Sequence, residues 1–356
     1  MNRRHILLRG AGFVAASILP MRNVARATER DFSGQYVSAT PLHEITKGTI
    51  TPNNLAFIRN HAGVPEIKDD EHHLVVHGLV DTPLTFTMGD INRFPSITCT
   101  HFLECGGNDY GLVQNAEFMG VLLRDILNEV GLKDSARWVM AEGSDDAAMN
   151  RSIPLSRALD DCMVVYRMNG EALPPEHGGP LRLLVPGCQG NLSIKWLSRL
   201  KVGDRPWYTR EETSRYTVLL ASGKTREFSF VMDAKSVIVA PSPQTAVLQH
   251  GPNTISGFAW SGRGKIARVD VSLDGGQNWF EASLEGSVLS KAFVRFNARF
   301  DWNGQEMVVM SRAMDETGYV QPSLAELTAL RGQNGFYHNN AIQSWRIHTG
   351  GSIESV

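Results

Sequence analysis

Cysteine is scarce in this chain: four occur in 356 residues, at positions 99, 105, 162 and 188. No two of them form a C-x-x-C pair, which excludes a zinc site of ordinary spacing. C-x-x-C-H is missing as well, so the chain attaches no c-type haem of its own. No G-x-G-x-x-G opens a helix after a strand and no P-loop is present, which argues against nucleotide binding. The apolar stretch Gly10 to Pro20 is about half of the ~20 residues that a bilayer span needs, so no membrane anchor is expected. Internal repeats and low-complexity segments are also lacking. A basic excess is lacking too: the formal net charge is -2. Residues 1–27 hold five arginines and no acid, and the remainder has 30 basic against 37 acidic residues. That balance excludes a nucleic-acid binder.

The N-terminus reads as an export signal over residues 1–27. Arg3-Arg4 precede the short apolar stretch, and Ala25-Arg26-Ala27 offers a small-x-small cleavage site. Paired arginines point to the twin-arginine route and a periplasmic destination. That route carries folded proteins, which suits a cofactor inserted before export.

Two compositional regimes meet near residue 230. Residues 40–230 mix helical and strand patterns. Leu122, Leu123, Ile126, Leu127 and Val130 recur at helical spacing, with Gly131 as a stop. Asn169-Gly170 marks a two-residue hairpin, and Leu181 to Val185 reads as a buried strand. The elements do not alternate strictly, which predicts an α+β domain over a doubly wound sheet. Residues 235–350 carry short strands near 255–260, 293–300, 306–311 and 343–348, with a helical pattern only around Pro322 to Leu330. An immunoglobulin-like β-sandwich is expected there. It holds no cluster of catalytic residue types, so a structural or dimer-forming role is expected.

Chemistry concentrates in the first domain, around His101-Phe-Leu-Glu-Cys105-Gly-Gly-Asn108. A thiol followed by two glycines can be approached closely by a bulky ligand. Four further segments accompany it. They are Ala56-Phe-Ile-Arg59-Asn60-His61, Glu142-Gly-Ser-Asp145-Asp146, Pro175-Glu-His177-Gly-Gly-Pro-Leu-Arg182 through Gly187, and Asn191-Leu-Ser193-Ile194-Lys195-Trp196.

In this order the five segments resemble the sulfite oxidase family of molybdoenzymes, and Asp274-Gly-Gly-x-x-Trp279 resembles that family's C-terminal dimerisation domain. Within the family, the runs Gly190 to Val202, Pro206 to Tyr216 and Phe228 to Ile238 are most similar to the molybdenum subunits of Sox-pathway sulfane dehydrogenases. The resemblance implies a sulfite-oxidase-type domain with a molybdenum-molybdopterin cofactor and Cys105 as thiolate ligand to the metal. One soft thiolate beside a dithiolene is apt for this metal, and arginine forks suit phosphate or oxo groups. It further implies that Arg59, Asn60, His61, Asp145, His177, Arg182, Ser193, Ile194 and Lys195 line the cofactor. Asp145 and Asp146 both remain open, with Asp145 favoured by its offset from Glu142.

Cys105, Arg59 and Tyr216 are the catalytic candidates, Tyr216 as a proton or hydrogen-bond donor near the metal. Cys188 reads as a structural thiol, with a redox role left open. The implied partners are a c-type cytochrome subunit, a sulfur-carrier protein as substrate, and a second copy of the chain bound through the C-terminal domain. Family members that oxidise free sulfite typically place arginines after Cys-x-Gly-Asn, whereas Asp109-Tyr110 stand here. A like charge at ~4 Å from a small dianion would cost on the order of a few kcal/mol. Carrier-bound sulfur is therefore the expected substrate and free sulfite the alternative.

Overall fold

Asn169 and Gly170 both take positive φ, 52° and 79°, the conformation a two-residue hairpin turn requires. They join the antiparallel strands Met163–Met168 and Glu171–Ala172, as the dipeptide predicts. The computed structural model describes residues 29–30, 36–107, 110–220, 222–245, 247–333 and 337–356. The export segment expected over 1–27 and the Asn108-Asp109 pair lie outside the described residues.

The hairpin belongs to a five-stranded sheet with Ser96–Glu104, Val113–Leu122 and Arg182–Leu184. A second sheet runs Leu84–Thr87, His73–Gly78, Leu197–Gly203, Trp138–Gly143, Asn150–Pro154, with one parallel pair between its second and third strands. The helix Leu123–Val130 buries Leu123, Ile126, Leu127 and Val130 and stops at Gly131, φ 66°. Its apolar stripe packs with Val139, Val164, Leu183 and Leu200 from both sheets in one core. The arrangement is α+β, as the mixed pattern predicts.

The second half is a sandwich of two antiparallel sheets. One has Lys235–Ala240, Gly251–Trp260, Val294–Trp302 and Ser283–Glu285; the other has Phe280–Glu281, Ile266–Ser272, Met307–Asp315, Ser344–Ile347 and Ile353–Ser355. Val269, Val271, Phe296, Val309 and Trp345 fill the space between them. Strand alternation assigns Asp270 to the solvent face, yet it is buried. Its carboxylate takes hydrogen bonds from Arg268 Nη2 at 3.3 Å and Arg312 Nε at 3.0 Å.

The two halves share a third core. Leu42, Ile45, Phe102 and Val113 meet Val237, Val239, Phe258, Trp260 and Phe293. At its edge lies a buried ion pair, Lys235 Nζ to Glu104 Oε1 at 3.1 Å, and Trp260 Nε1 donates to Glu104 Oε2 at 2.7 Å. Glu104 immediately precedes Cys105, so the sandwich anchors the loop that carries the thiol. Composition did not reveal this role. Lys235→Met leaves a buried carboxylate without this cation and should destabilise the fold by about 3 kcal/mol. Urea unfolding measures it; an unchanged midpoint would show that the pair contributes nothing net.

Candidate active site

The thiol of Cys105 opens into a cavity of about 650 Å³ whose wall includes Arg59, Asn60, His61, Gln114, Asp145, Arg182, Ser193, Ile194, Lys195 and Tyr216. Strand ends and turns supply the wall. Arg59 and Asn60 close the strand Ile58–Asn60, Cys105 follows Ser96–Glu104, and Asp145 follows Trp138–Gly143. Arg182 opens Arg182–Leu184, while Ser193 to Lys195 follow the short turn Gly190–Leu192. A π-helical turn, Glu211–Arg215, delivers Tyr216; such turns are rare and cluster at functional sites.

Ten of the eleven residues expected from sequence share this cavity. His177 is the eleventh: it is buried behind the wall, and its carbonyl accepts from Arg182 Nη1 at 3.0 Å. Ser193 is spent on structure, with Oγ accepting from Val185 N at 3.0 Å and its carbonyl accepting from Arg182 Nε at 3.1 Å. Asp145 lines the cavity with Oδ1 capping Met149 N at 3.0 Å, whereas Asp146 is exposed beside a second, outer cavity. Gly106 differs from its expected use. A Cβ there would stand 2.8 Å from Gln189 Oε1, so the missing side chain admits the neighbouring loop of the protein rather than a ligand.

Charge is unevenly matched. Arg182 is fully buried and spends its hydrogen bonds on carbonyls. Lys195 Nζ donates to Asn60 Oδ1 at 2.6 Å and to Glu176 O at 2.7 Å, and Arg59 Nη1 donates to Asn60 O at 2.7 Å. Among the described residues none of the three cations is in an ion pair. Loss of hydration, then the Arg182 guanidinium, pulls the Lys195 pKa well below its ordinary 10.5, and burial lowers Arg182 to about 10. Asn60 Nδ2, also buried, has no hydrogen-bond partner. Buried cations and donors without acceptors are costly. A ligand rich in acceptors and carrying a phosphate offsets that cost, so the residues present fit molybdopterin. Burial raises the Cys105 pKa, while Gly107 N–H, Arg59 and Lys195 oppose the rise. A coordinated metal removes that proton outright.

Sequence reasoning missed the support beneath Tyr216. Arg151 is completely buried and forks onto Glu212, Nε to Oε1 at 2.9 Å and Nη2 to Oε2 at 3.2 Å. Its Nη1 also donates to Asn191 Oδ1, and its guanidinium lies 4.8 Å from the centre of the Tyr216 ring. Tyr216 Oη stands 2.8 Å from His61 Nε2. A basic residue inside the buried strand Asn150–Pro154 was the available signal.

Three histidines are held neutral. Burial first, and nearby cations second, lower His61 to about 4, His177 to about 3 and His338 to about 4, from an ordinary 6.5. The unfolded chain therefore takes up these protons first as the pH falls. Stability should be flat above pH 7 and should drop from pH 6.5 towards pH 4, by up to about 1.4 kcal/mol per pH unit for each histidine. Urea midpoints at pH 7 and pH 5 test this; His338→Gln should shallow the slope, and equal midpoints would refute the account.

Tyr110 faces away from the cavity, its ring edge-on to Trp345 of the sandwich at 5.6 Å between centroids. The proposed repulsion from Asp109 concerns a residue outside the described ones.

Comparison with known proteins places these features among relatives. A family model described as "Oxidoreductase molybdopterin binding domain" matches residues 61–210, and one described as "Mo-co oxidoreductase dimerisation domain" matches 226–345. Mitochondrial sulfite oxidase of Mus musculus is 33% identical over 333 residues, covering 82% of this chain and 61% of that protein. The sulfite oxidase of Gallus gallus is 32% identical, covering 82% and 72%. The chain thus spans about three fifths of the length of the mouse enzyme. The solved structure of the sulfane dehydrogenase SoxCD from Paracoccus pantotrophus superposes with a TM-score of 0.90 at 43% identity, covering 98% of this chain and 95% of that one.

This last match corrects one expectation. The related structure is a complex of a molybdoenzyme with a cytochrome c partner, not a homodimer. A β-sandwich offers an exposed face without specifying what covers it, and sequence similarity to a dimerisation domain therefore did not identify the partner.

Proposed function

We infer the function of a chain that belongs to the sulfite oxidase family of molybdopterin oxidoreductases. It is an exported, periplasmic sulfane dehydrogenase subunit that oxidises sulfur bound to a carrier protein and passes the electrons to a c-type cytochrome. Residues 40–230 form the cofactor domain and 235–350 the sandwich that anchors it. The observation that carries this reading is the Cys105 cavity, where Arg59, Arg182 and Lys195 are in no ion pair among the described residues. The 43% identity to a sulfane dehydrogenase supports carrier-bound sulfur over free sulfite.

Molybdenum-molybdopterin bound there would supply oxygen transfer to sulfur together with uptake of two electrons. Cys105 would hold the metal, and Arg182 and Lys195 would take the negative charge of the cofactor. Arg59 would orient an anionic substrate. His61, uncharged above about pH 4, accepts the phenolic hydrogen of Tyr216 when its own proton sits on Nδ1, and so fixes where that hydroxyl points. Burial raises the Tyr216 pKa, so the phenol stays protonated and serves as a donor.

The test is elemental analysis combined with cytochrome c reduction, comparing a sulfur-loaded carrier protein with free sulfite. Molybdenum near one atom per chain and turnover on the carrier are expected. Turnover confined to free sulfite would overturn the substrate assignment, and purified protein that never holds molybdenum would overturn the reading as a whole.

A further inference from the structure

A second cavity, of about 560 Å³, lies against the first. Its wall is His61, Ala62, Asp146, Ala147, Met149, Arg210, Glu211, Arg215 and Tyr216. His61, Met149 and Tyr216 line both cavities and form the partition between them. The outer space is therefore a vestibule one side chain away from the Cys105 thiol cavity.

Its charges are unequal in availability. Arg210 is committed to Glu211, with Nε and Nη2 donating to Oε1 at 2.9 and 2.6 Å. Glu212 is committed to Arg151. Arg215, at the end of the same π-helical turn, is exposed, and among the described residues its guanidinium is in no ion pair or hydrogen bond. Asp146 is the remaining acid of the wall, and it is exposed. The partition itself sits in a positive field. Burial first, then Arg59, Arg215, Lys195 and Arg210, disfavour a charged His61. A planar, weakly hydrated guanidinium with five donors is well suited to a sulfur oxyanion or persulfide anion.

We propose that this vestibule is an anion subsite that receives the charged sulfur group before it reaches the Cys105 cavity, and that Arg215 is its specificity-determining residue. The ligand class is a terminal sulfur anion, a persulfide or a sulfonate. The proposal rests on the reading of the inner cavity as the place of sulfur oxidation. Position explains the role: Arg215 directly precedes Tyr216, so the turn that aims the phenol inward also holds the guanidinium over the entrance. Exposure matters too, since a side chain at the surface can release its anion as readily as it takes it.

The holoenzyme carrying Arg215→Gln should lose roughly 10- to 100-fold in kcat/KM on the sulfur-loaded carrier, the range expected for one charge-assisted hydrogen bond. The loss should fall on KM more than on kcat, and Arg215→Lys should recover part of it. Arg205→Gln, which removes an exposed cation from the same stretch, should match the wild type. Direct titration with thiosulfate, followed by calorimetry, keeps the subsite separable from the reaction. Wild type should bind in a saturable manner and Arg215→Gln at least tenfold more weakly. If no sulfur substrate is turned over but the titration still depends on Arg215, the function reading fails and the subsite stands. Equal thiosulfate affinity in wild type and Arg215→Gln, or a loss confined to kcat, overturns the subsite.

Discussion

Cys105→Ser protein is expected to lose at least about 100-fold in cytochrome c reduction, more than the 10–100-fold typical of changes to groups that merely support a metal ligand. The thiol is the soft donor in the wall of the 650 Å³ cavity. A serine hydroxyl occupies the same place but is hard and keeps its proton at neutral pH, so it offers a poor bond to a metal that favours thiolate. Elemental analysis and the sulfur-to-metal charge-transfer absorption would be measured alongside turnover, and the part of that absorption owed to the thiolate should be lost even where metal is retained, leaving the part owed to the dithiolene. Stability should barely change, because the substitution is nearly isosteric. Full metal-dependent activity in this variant would defeat the assignment of Cys105 as ligand.

Arg151→Met should have the largest effect on the fold. Both side chains of the Arg151–Glu212 pair are fully enclosed, and removing one partner strands the other charge away from water. Breaking such a pair typically costs about 3–5 kcal/mol, readable as a shift of the urea midpoint. Turnover should fall as well, because the guanidinium also stacks under the Tyr216 ring and holds Asn191. Arg151→Met combined with Glu212→Leu removes both charges and should recover much of the stability, since a buried pair adds little over a packed apolar one. It should not recover turnover, because Tyr216 remains unsupported. A double variant as unstable as the single one would place the effect in packing rather than in charge.

Local chemistry carried the sequence reading a long way. The helix Leu123–Val130 and its stop at Gly131, the Asn169-Gly170 hairpin and the capped helix Leu324–Arg331 all follow from neighbours a few residues apart. So does the change of regime near residue 230, because strand and helix periods are written into consecutive side chains. Five short motifs in order were enough to name the residues around Cys105.

What those residues do to one another was decided only in three dimensions. Arg151 and Glu212 lie 61 positions apart, and Glu104 and Lys235 lie 131 apart; no spacing rule connects them. The pairs exist because burial forces each charge to find a partner wherever the chain brings one. The same holds for Asp145, turned into the cofactor cavity while Asp146 faces the vestibule, and for Gly106, kept bare by the approach of Gln189. Sequence by itself determined the elements, the family and the thiol at Cys105. Tertiary structure alone decided which charges are left unmatched around that thiol, because solvation is a property of the assembled interior and not of any segment of the chain.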